Sequence, residues 1–136
     1  MSATLPSQSP PVLIVEDEGL IREALVMEFE DADHNVCAAS NGDEALALLS
    51  TGVEISAVVS DIRMPGEVDG VALVGWLGRH RPAVPIVVLT GYASAPEIHS
   101  LNANVAAVLS KPCRPADIVS LVRRLLANSS GTRSGQ

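Results

Sequence analysis

The chain has 136 residues, a length typical of one domain, and its hydrophobic content of 47% with 2% aromatic residues predicts an aliphatic core. Its net charge of −7 argues against partners that need a basic surface, so we expect no nucleic-acid and no membrane partner. It has no apolar stretch of the roughly 20 residues that span a bilayer, and Cys37 and Cys113 are too few for a disulfide framework, so we expect a cytoplasmic protein.

Five apolar runs alternate with helical patterns between two polar ends. The ends, residues 1–11 and 128–136, are predicted to be disordered tails around one domain of residues 12–127. Three of the runs lack polar alternation, which is typical of parallel strands buried on both faces. The predicted strands are Val12–Val15, Asn35–Ala39, Ala57–Ser60, Pro85–Leu89 and Val105–Leu109.

The first predicted helix spans Glu18–Ala32. An apolar stripe, interrupted by Glu28, is expected to lie on one side of this helix and to face the core. Its members are Leu20, Ile21, Ala24, Leu25 and Met27.

Capping signals and apolar spacing predict the remaining helices. Asn41, with Glu44 three residues later, is expected to cap the second helix, and Ser94 with Glu97 a fourth. Asp69 is expected to cap the third helix. That helix should turn Val71, Val74 and Leu77 inward, and the last helix Ile118, Leu121, Val122 and Leu125. Five strand–helix repeats predict an α/β fold with a parallel sheet and helices on both faces.

Polar residues follow several predicted strands at their carboxyl ends. Because these ends meet at one edge of a parallel sheet, we expect the side chains to converge there. Three converging carboxylates repel one another unless a cation joins them, and all-oxygen ligands favour Mg²⁺. The residues are Glu16 and Asp17 after the first strand, Asp61 after the third, Thr90 after the fourth, and Ser110 and Lys111 after the fifth.

A hydroxyl and an ammonium beside a metal ion suit the binding of a phosphoryl group. The chain has no Walker-type Gly-rich loop, so we expect the protein itself to accept that group rather than to hold a nucleotide. A carboxylate can attack phosphorus and form an aspartyl phosphate. Asp61 is the candidate because it lies between the acid pair on one side and Thr90 with Lys111 on the other.

From residue 12 to residue 127 the chain resembles the receiver domains of bacterial two-component response regulators. The resemblance rests on four motifs in order: Val-Glu-Asp-Glu at 15–18, Ser-Asp-Ile-Arg-Met-Pro-Gly at 60–66, Leu-Thr-Gly-Tyr at 89–92 and Ser-Lys-Pro at 110–112. It implies a flavodoxin-like (βα)5 fold, a doubly wound parallel sheet with strand order 2-1-3-4-5. It also implies a signalling domain rather than an enzyme, with at most self-phosphorylation from small phosphodonors and autodephosphorylation.

The resemblance assigns roles to individual residues. Asp61 would take a phosphoryl group from the phosphohistidine of a sensor histidine kinase or of a histidine phosphotransfer protein. Asp17 would bind Mg²⁺ (or Mn²⁺) directly and Glu16 through water. Asp61 would be a further metal ligand, and Arg63 would contribute its backbone carbonyl. Thr90 and Lys111 would bind the phosphoryl oxygens, and the Lys111–Pro112 peptide bond would be cis.

Signalling would follow from a shift between two conformations as Thr90 moves toward the phosphoryl group. The family's output face is formed by its fourth helix, fifth strand and fifth helix, where a downstream protein partner would bind. Val108 stands where many receivers carry an aromatic switch residue, so Tyr92 is a candidate replacement. Tyr92 and Arg63 could also slow the loss of the phosphoryl group by shielding it from water.

Other interpretations remain open. Glu16 and Asp17 could simply stabilise the N-terminus of the first helix by their charge. Cys113 is either a small buried hydrophobe or a thiol near the site. A haloacid-dehalogenase-type phosphatase also uses Asp and Mg²⁺, but Arg63 stands where that class needs an acid. A flavin-binding module would need a phosphate loop where Glu16 and Asp17 lie. We expect a stand-alone monomer or weak dimer, with a receiver fragment of a hybrid histidine kinase as the alternative.

Overall fold

The computed structural model describes residues 9–62, 69–91 and 103–134, and five strands and four helices lie in these ranges. The strands are β1 Val12–Val15, β2 Val36–Ala39, β3 Ala57–Asp61, β4 Ile86–Thr90 and β5 Val105–Ser110. The helices are α1 Gly19–Asp31, α2 Gly42–Leu49, α3 Gly70–His80 and α4 Pro115–Ser134, the last being the final helix predicted from the sequence.

The strands form one parallel sheet with the order β2-β1-β3-β4-β5. β1 is paired with β2 on one side and with β3 on the other. The strand order therefore changes direction at β1, since β3, β4 and β5 all lie on the side opposite β2. This point is where open α/β sheets place their ligands. The α/β class and the strand order expected from the resemblance are both confirmed.

Three strands continue one residue further than predicted. Asp61, Thr90 and Ser110 are the last residues of β3, β4 and β5, rather than the first residues after them. The extension has a physical cause, because the hydrogen-bond ladder continues past the apolar runs: the amide of Ile62 donates to the carbonyl of Leu89 at 3.0 Å, and the amide of Lys111 to the carbonyl of Thr90 at 2.7 Å. The polar side chains are therefore held by regular backbone.

The core lies in two layers, one on each face of the sheet. Alternate residues of a strand point to opposite faces, so Leu13 and Val15 pack into the cluster under α2 and α3, whereas Val12 and Ile14 pack under α1 and α4. All four side chains of β1 are buried. A strand that is apolar throughout is what a sheet covered on both faces requires.

The prediction that Leu20 and Met27 face the core was wrong. They are 85% and 62% exposed, and Ile21 and Ala24 of the same predicted stripe are exposed as well, whereas Leu25 and Phe29 are the buried residues of α1. Each residue turns the helix by about 100°, which puts Leu20 and Met27 roughly 140–160° away from Leu25. Leu25 and Phe29, one turn apart, share the face that packs on the sheet.

Two predicted caps are confirmed. The Asn41 side chain accepts a hydrogen bond from the amide of Glu44 at 2.8 Å, and the Asp69 side chain accepts one from the amide of Ala72 at 2.9 Å. On α3, Val74 and Leu77 are buried as predicted, but Val71 is 45% exposed. Val71 lies roughly 110° around the helix from the middle of the face formed by the buried residues Gly70, Leu73, Val74 and Leu77. The predicted cap at Ser94 lies outside the described residues.

The described residues extend past the predicted domain bounds of 12–127 at both ends. Helix α4 runs to Ser134 instead of ending at Ala127, because each residue added to a formed helix gains a backbone hydrogen bond at a small propensity cost. Near the other end, Asn35 donates to the carbonyl of Ser9 at 2.9 Å, and the amide of Ser56 donates to the carbonyl of Pro11 at 2.8 Å. None of the helices in the described ranges has the length and apolar character needed to cross a bilayer.

Candidate functional site

Three carboxylates meet at the carboxyl edge of the sheet. Glu16 and Asp17 directly follow β1, Asp61 ends β3, and each offers an oxygen within 4.8 Å of the others. The parallel register of β1 and β3 places Val15 opposite Ser60, so the next residues of the two strands, Glu16 and Asp61, come side by side. The convergence predicted from the sequence is therefore present for all three acids.

Glu16 is fully buried although it is an acid. Its Oε2 atom accepts a hydrogen bond from the amide of Glu18 at 3.1 Å, whereas its Oε1 atom accepts none from the described part of the chain. Burial raises the pKa of this carboxyl, and the nearby charges of Asp61 and Asp17 raise it further, against the lowering effects of the Glu18 amide and Lys111. The Oε1 atom, which has only a longer contact to a lysine, can therefore accept a further partner such as a cation.

Lys111 is the cation of this site. Its Nζ atom lies 2.6 Å from Asp61 Oδ2 and 3.5 Å from Glu16 Oε1. Burial by itself would lower the pKa of Lys111, but the hydrogen bond and charge of Asp61, together with Glu16, raise it overall. The Lys111–Pro112 peptide bond is cis, and the Lys111 amide bonds the end of β4.

Three further predicted residues lie on β4 and β5. Thr90 is buried at the end of β4, paired in register with the exposed Ser110, and Val108 packs half-buried against the core opposite Val88. Cys113 is half-buried at the rim of the core, and its Sγ donates to the carbonyl of Ser110 at 2.9 Å. Burial raises the pKa of the Cys113 thiol, which favours a packing role over a reactive one. Arg63 and Tyr92 lie outside the described residues.

The acid cluster fits a divalent cation. Three carboxyl groups share one ammonium here, and Glu16 Oε1 accepts no hydrogen bond from the described part of the chain. A purely oxygen donor set favours a hard ion such as Mg²⁺, which keeps several waters and takes few carboxylates. Glu16, Asp17 and Asp61 are the residues that would hold it.

Two residues that sequence reasoning missed shape the site. Arg22 of α1 donates from Nη1 to the carbonyl of Glu16 at 2.8 Å. Gly70 begins α3 directly against the end of β3, where a Cβ would come within 2.6 Å of the carbonyl oxygen of Ile62 and closer still to that of Asp61. A signal for Arg22 existed, because it is the only cationic residue of the otherwise acidic helix α1. Gly70 had none beyond its place after the Asp69 cap.

The model of the family described as "Response regulator receiver domain" matches residues 12–123. Among curated proteins, the transcriptional regulatory protein ResD of Bacillus subtilis is 33% identical over 124 residues, which cover 89% of this chain and 50% of that protein. The chain spans about half the length of the first curated relatives it matches.

Solved structures agree with the fold. A CheY-like response regulator receiver domain protein from Methanospirillum hungatei has a TM-score of 0.81 and 27% identity, covering 90% of this chain and 98% of that one. The response regulator protein TrrA from Thermotoga maritima, solved in complex with Mg²⁺-BeF, has a TM-score of 0.74 and 26% identity, covering 86% and 99%. These matches favour the receiver interpretation over a phosphatase or a flavin-binding module.

Proposed function

This chain belongs to the response regulator receiver domain family, and on that premise we propose that Asp61 accepts a phosphoryl group from a phosphohistidine. The donor would be a sensor histidine kinase or a histidine phosphotransfer protein. The reaction would take place in the cytoplasm. Support comes chiefly from one geometric relationship: Lys111 bridges Asp61 and Glu16 at the sheet edge where Asp17 also lies. An acid with a purely structural role would not require two further carboxylates and a lysine beside it.

Transfer would begin with attack of a carboxylate oxygen of Asp61 on phosphorus. The oxygen–phosphorus bond forms while the phosphorus–nitrogen bond of the donor breaks, and that electron pair stays on the imidazole nitrogen. A bound Mg²⁺ ion would neutralise charge on the phosphoryl oxygens. Glu16, Asp17 and Asp61 would hold this ion, with the backbone carbonyl of Arg63 as a further ligand.

Lys111 and Thr90 would receive the phosphoryl group. The Lys111 ammonium is already 2.6 Å from Asp61, so a short movement of its flexible side chain would bring it to a phosphoryl oxygen. Thr90 ends the neighbouring strand β4 and is joined to Lys111 through the backbone bond at 2.7 Å. A hydroxyl and an ammonium on linked strands would bind oxygens of the same group.

The added charge of roughly −1.5 to −2 would then shift the domain between two conformations. We infer that movement of Thr90 carries the change to β5 and α4, which leads to a downstream protein partner or to relay of the phosphoryl group. Val108 is half-buried in the core, so its side chain would not serve as the rotating aromatic of other receivers. Tyr92 remains the proposed replacement.

The test is phosphotransfer profiling with labelled histidine kinases and with a small phosphodonor. Wild-type protein should be labelled in the presence of Mg²⁺ and not after chelation, and Asp61→Asn should abolish the label. Asp117→Asn, the same acid-to-amide change at an exposed position of α4, is the matched control and should be labelled like wild type. Label that survives Asp61→Asn unchanged would overturn the assignment.

A further inference from the structure

Arg22 occupies an unusual place beside the acid cluster. It lies in the first turns of α1, half-buried, and its Nη1 atom points back to the loop after β1. This atom lies 2.8 Å from the carbonyl oxygen of Glu16 and 3.5 Å from that of Asp17. One guanidinium therefore contacts the backbone of two consecutive residues whose carboxylates belong to the candidate metal site.

The same side chain also lies near the start of α2. The Glu44 carboxylate accepts a hydrogen bond from the amide of Ser40 at 2.7 Å. The pKa of Glu44 is lowered first by its bonds to Ser40 and, to a smaller extent, by the charge of Arg22. The positive charge of Arg22 is therefore near enough to act on Glu44 in the first turn of α2, while its hydrogen bonds go to the loop after β1.

A guanidinium holds carbonyl groups well because its donors form a rigid, planar fork that stays charged. Glu16 and Asp17 project toward Asp61, and repulsion among the three carboxylates favours opening of the loop that carries them. A bond from Arg22 to the Glu16 carbonyl opposes that opening from the backbone side, without taking any carboxylate oxygen from a metal ion.

We propose that Arg22 is a positioning residue, which holds Glu16 and Asp17 in the arrangement that binds a divalent cation. This inference rests on the proposed function, because it assumes that the acid cluster binds Mg²⁺. It concerns a residue that would touch neither the metal nor the phosphoryl group.

Two physical effects of Arg22 have opposite signs, and this makes the role testable. As a positive charge near the site, Arg22 repels a metal ion, so a neutral replacement would strengthen Mg²⁺ binding if charge alone mattered. As a holder of the loop, it preorganises the ligands, so the same replacement weakens binding. Partners behind metal ligands typically contribute about 10–100-fold to affinity.

The experiment is calorimetric titration of the full chain with Mg²⁺ alone, for wild type, Arg22→Gln, Arg22→Lys and Arg124→Gln. We expect Arg22→Gln to bind about tenfold more weakly. Arg22→Lys should fall between the two, since its ammonium can still donate one hydrogen bond to the Glu16 carbonyl but lacks the planar fork. Arg124→Gln, the same change at an exposed arginine of α4, should bind like wild type.

Phosphorylation by a small phosphodonor separates positioning from general damage. Across a Mg²⁺ series, Arg22→Gln should need about tenfold more Mg²⁺ for half-maximal rate, yet reach a maximal rate within about twofold of wild type. A lower maximal rate with unchanged Mg²⁺ dependence would overturn the positioning role. Thermal melts in the presence of a chelator verify that each variant is folded. If Arg22→Gln does not fold, the same comparison is made with Arg22→Lys.

The two proposals fail in different ways. Equal or tighter Mg²⁺ binding by Arg22→Gln, with wild-type binding and labelling intact, overturns the role of Arg22 and leaves the proposed function standing. Absence of Mg²⁺ binding and of labelling in the wild type overturns both.

Discussion

The Nζ atom of Lys111 lies 2.6 Å from Asp61 Oδ2, so the only lysine of the chain forms a direct ion pair with the proposed phosphoacceptor. A second, longer contact of 3.5 Å joins it to the buried Glu16. The same ammonium therefore compensates charge at the site before the reaction and is placed to bind new charge after it.

Replacement of Lys111 by Met should separate metal binding from phosphoryl transfer. We expect the phosphorylation rate from a small phosphodonor to fall by about 10²-fold, because a donor aimed at the developing charge is lost. Mg²⁺ should bind at least as tightly as in wild type, because a cation that competes for Asp61 and Glu16 is gone. Stopped-flow rates and calorimetry measure the two effects, and an unchanged rate would contradict the role of Lys111.

Gly70→Ala should destabilise the fold by about 1–3 kcal/mol, because the new methyl group would meet backbone atoms of Asp61 and Ile62 that cannot easily move. The control is Gly75→Ala in the middle of the same helix. There a Cβ would lie 3.6 Å from the Arg79 side chain, an ordinary contact, so we expect a gain of about 0.5–1 kcal/mol. Urea unfolding measures both, and equal effects would show that close packing at Gly70 is not the cause.

His34 should make stability depend on pH. Its ring stands edge-on to Phe29 with centroids 5.5 Å apart, and its buried Nε2 has no hydrogen-bond partner within the described ranges. Burial, followed by the charge of Arg123, lowers the pKa of His34 below 6.5, against the opposing charge of Asp33. His34 therefore binds a proton more readily in the unfolded chain than in the folded one. The contribution of neutral His34 to the free energy of unfolding is complete above pH 6.5 and is lost as the pH falls below it.

Unfolding free energies between pH 5 and 8 test this expectation. His34→Gln should flatten the decline of stability on the acid side, because the titrating group has been removed. His80→Gln, the same change at an exposed histidine that stacks on Trp76, is the control. A decline that is equally steep in wild type and His34→Gln would mean that other groups cause it.

Asp33→Gly should stabilise the protein by about 0.5–1 kcal/mol. Asp33 has φ of 69° in the turn after α1, a left-handed conformation that costs free energy for a residue with a side chain. Asp31→Gly, two residues earlier at the last position of α1, should not stabilise the protein, because its backbone is helical and glycine favours helix less than other residues. Chemical denaturation at pH 8 compares them with His34 neutral, and a loss of stability in Asp33→Gly would refute the argument.

The residue patterns were sufficient to predict the α/β class and the convergence of the acids. Five apolar runs between helical patterns permit few arrangements once connections are short and right-handed, and Asp61 could be placed at a strand end because the apolar run before it was unbroken. Strand order came only from the resemblance, since local patterns carry no information about which strands are neighbours.

The errors have a common cause. Leu20 and Met27 were assigned to the core because they are apolar, yet the rotation of α1 is set by Leu25 and Phe29 packing on the sheet. Gly70 and Arg22 act through close approach and through backbone carbonyls. Contacts of this kind depend on the distance between elements, which hydrophobic periodicity does not encode.

Because Lys111 is the only lysine of the chain, the site can be labelled selectively at this side chain. Its side chain is 26% accessible, and besides the α-amino group it is the only primary amine of the chain. Because the pKa of Lys111 is raised, an acylating reagent would be used at alkaline pH, and peptide mass spectrometry would then report on this one side chain without engineering. Protection of Lys111 from acylation would report occupancy of the site formed with Asp61 and Glu16 in an unmodified, untagged protein, even within a mixture of kinases.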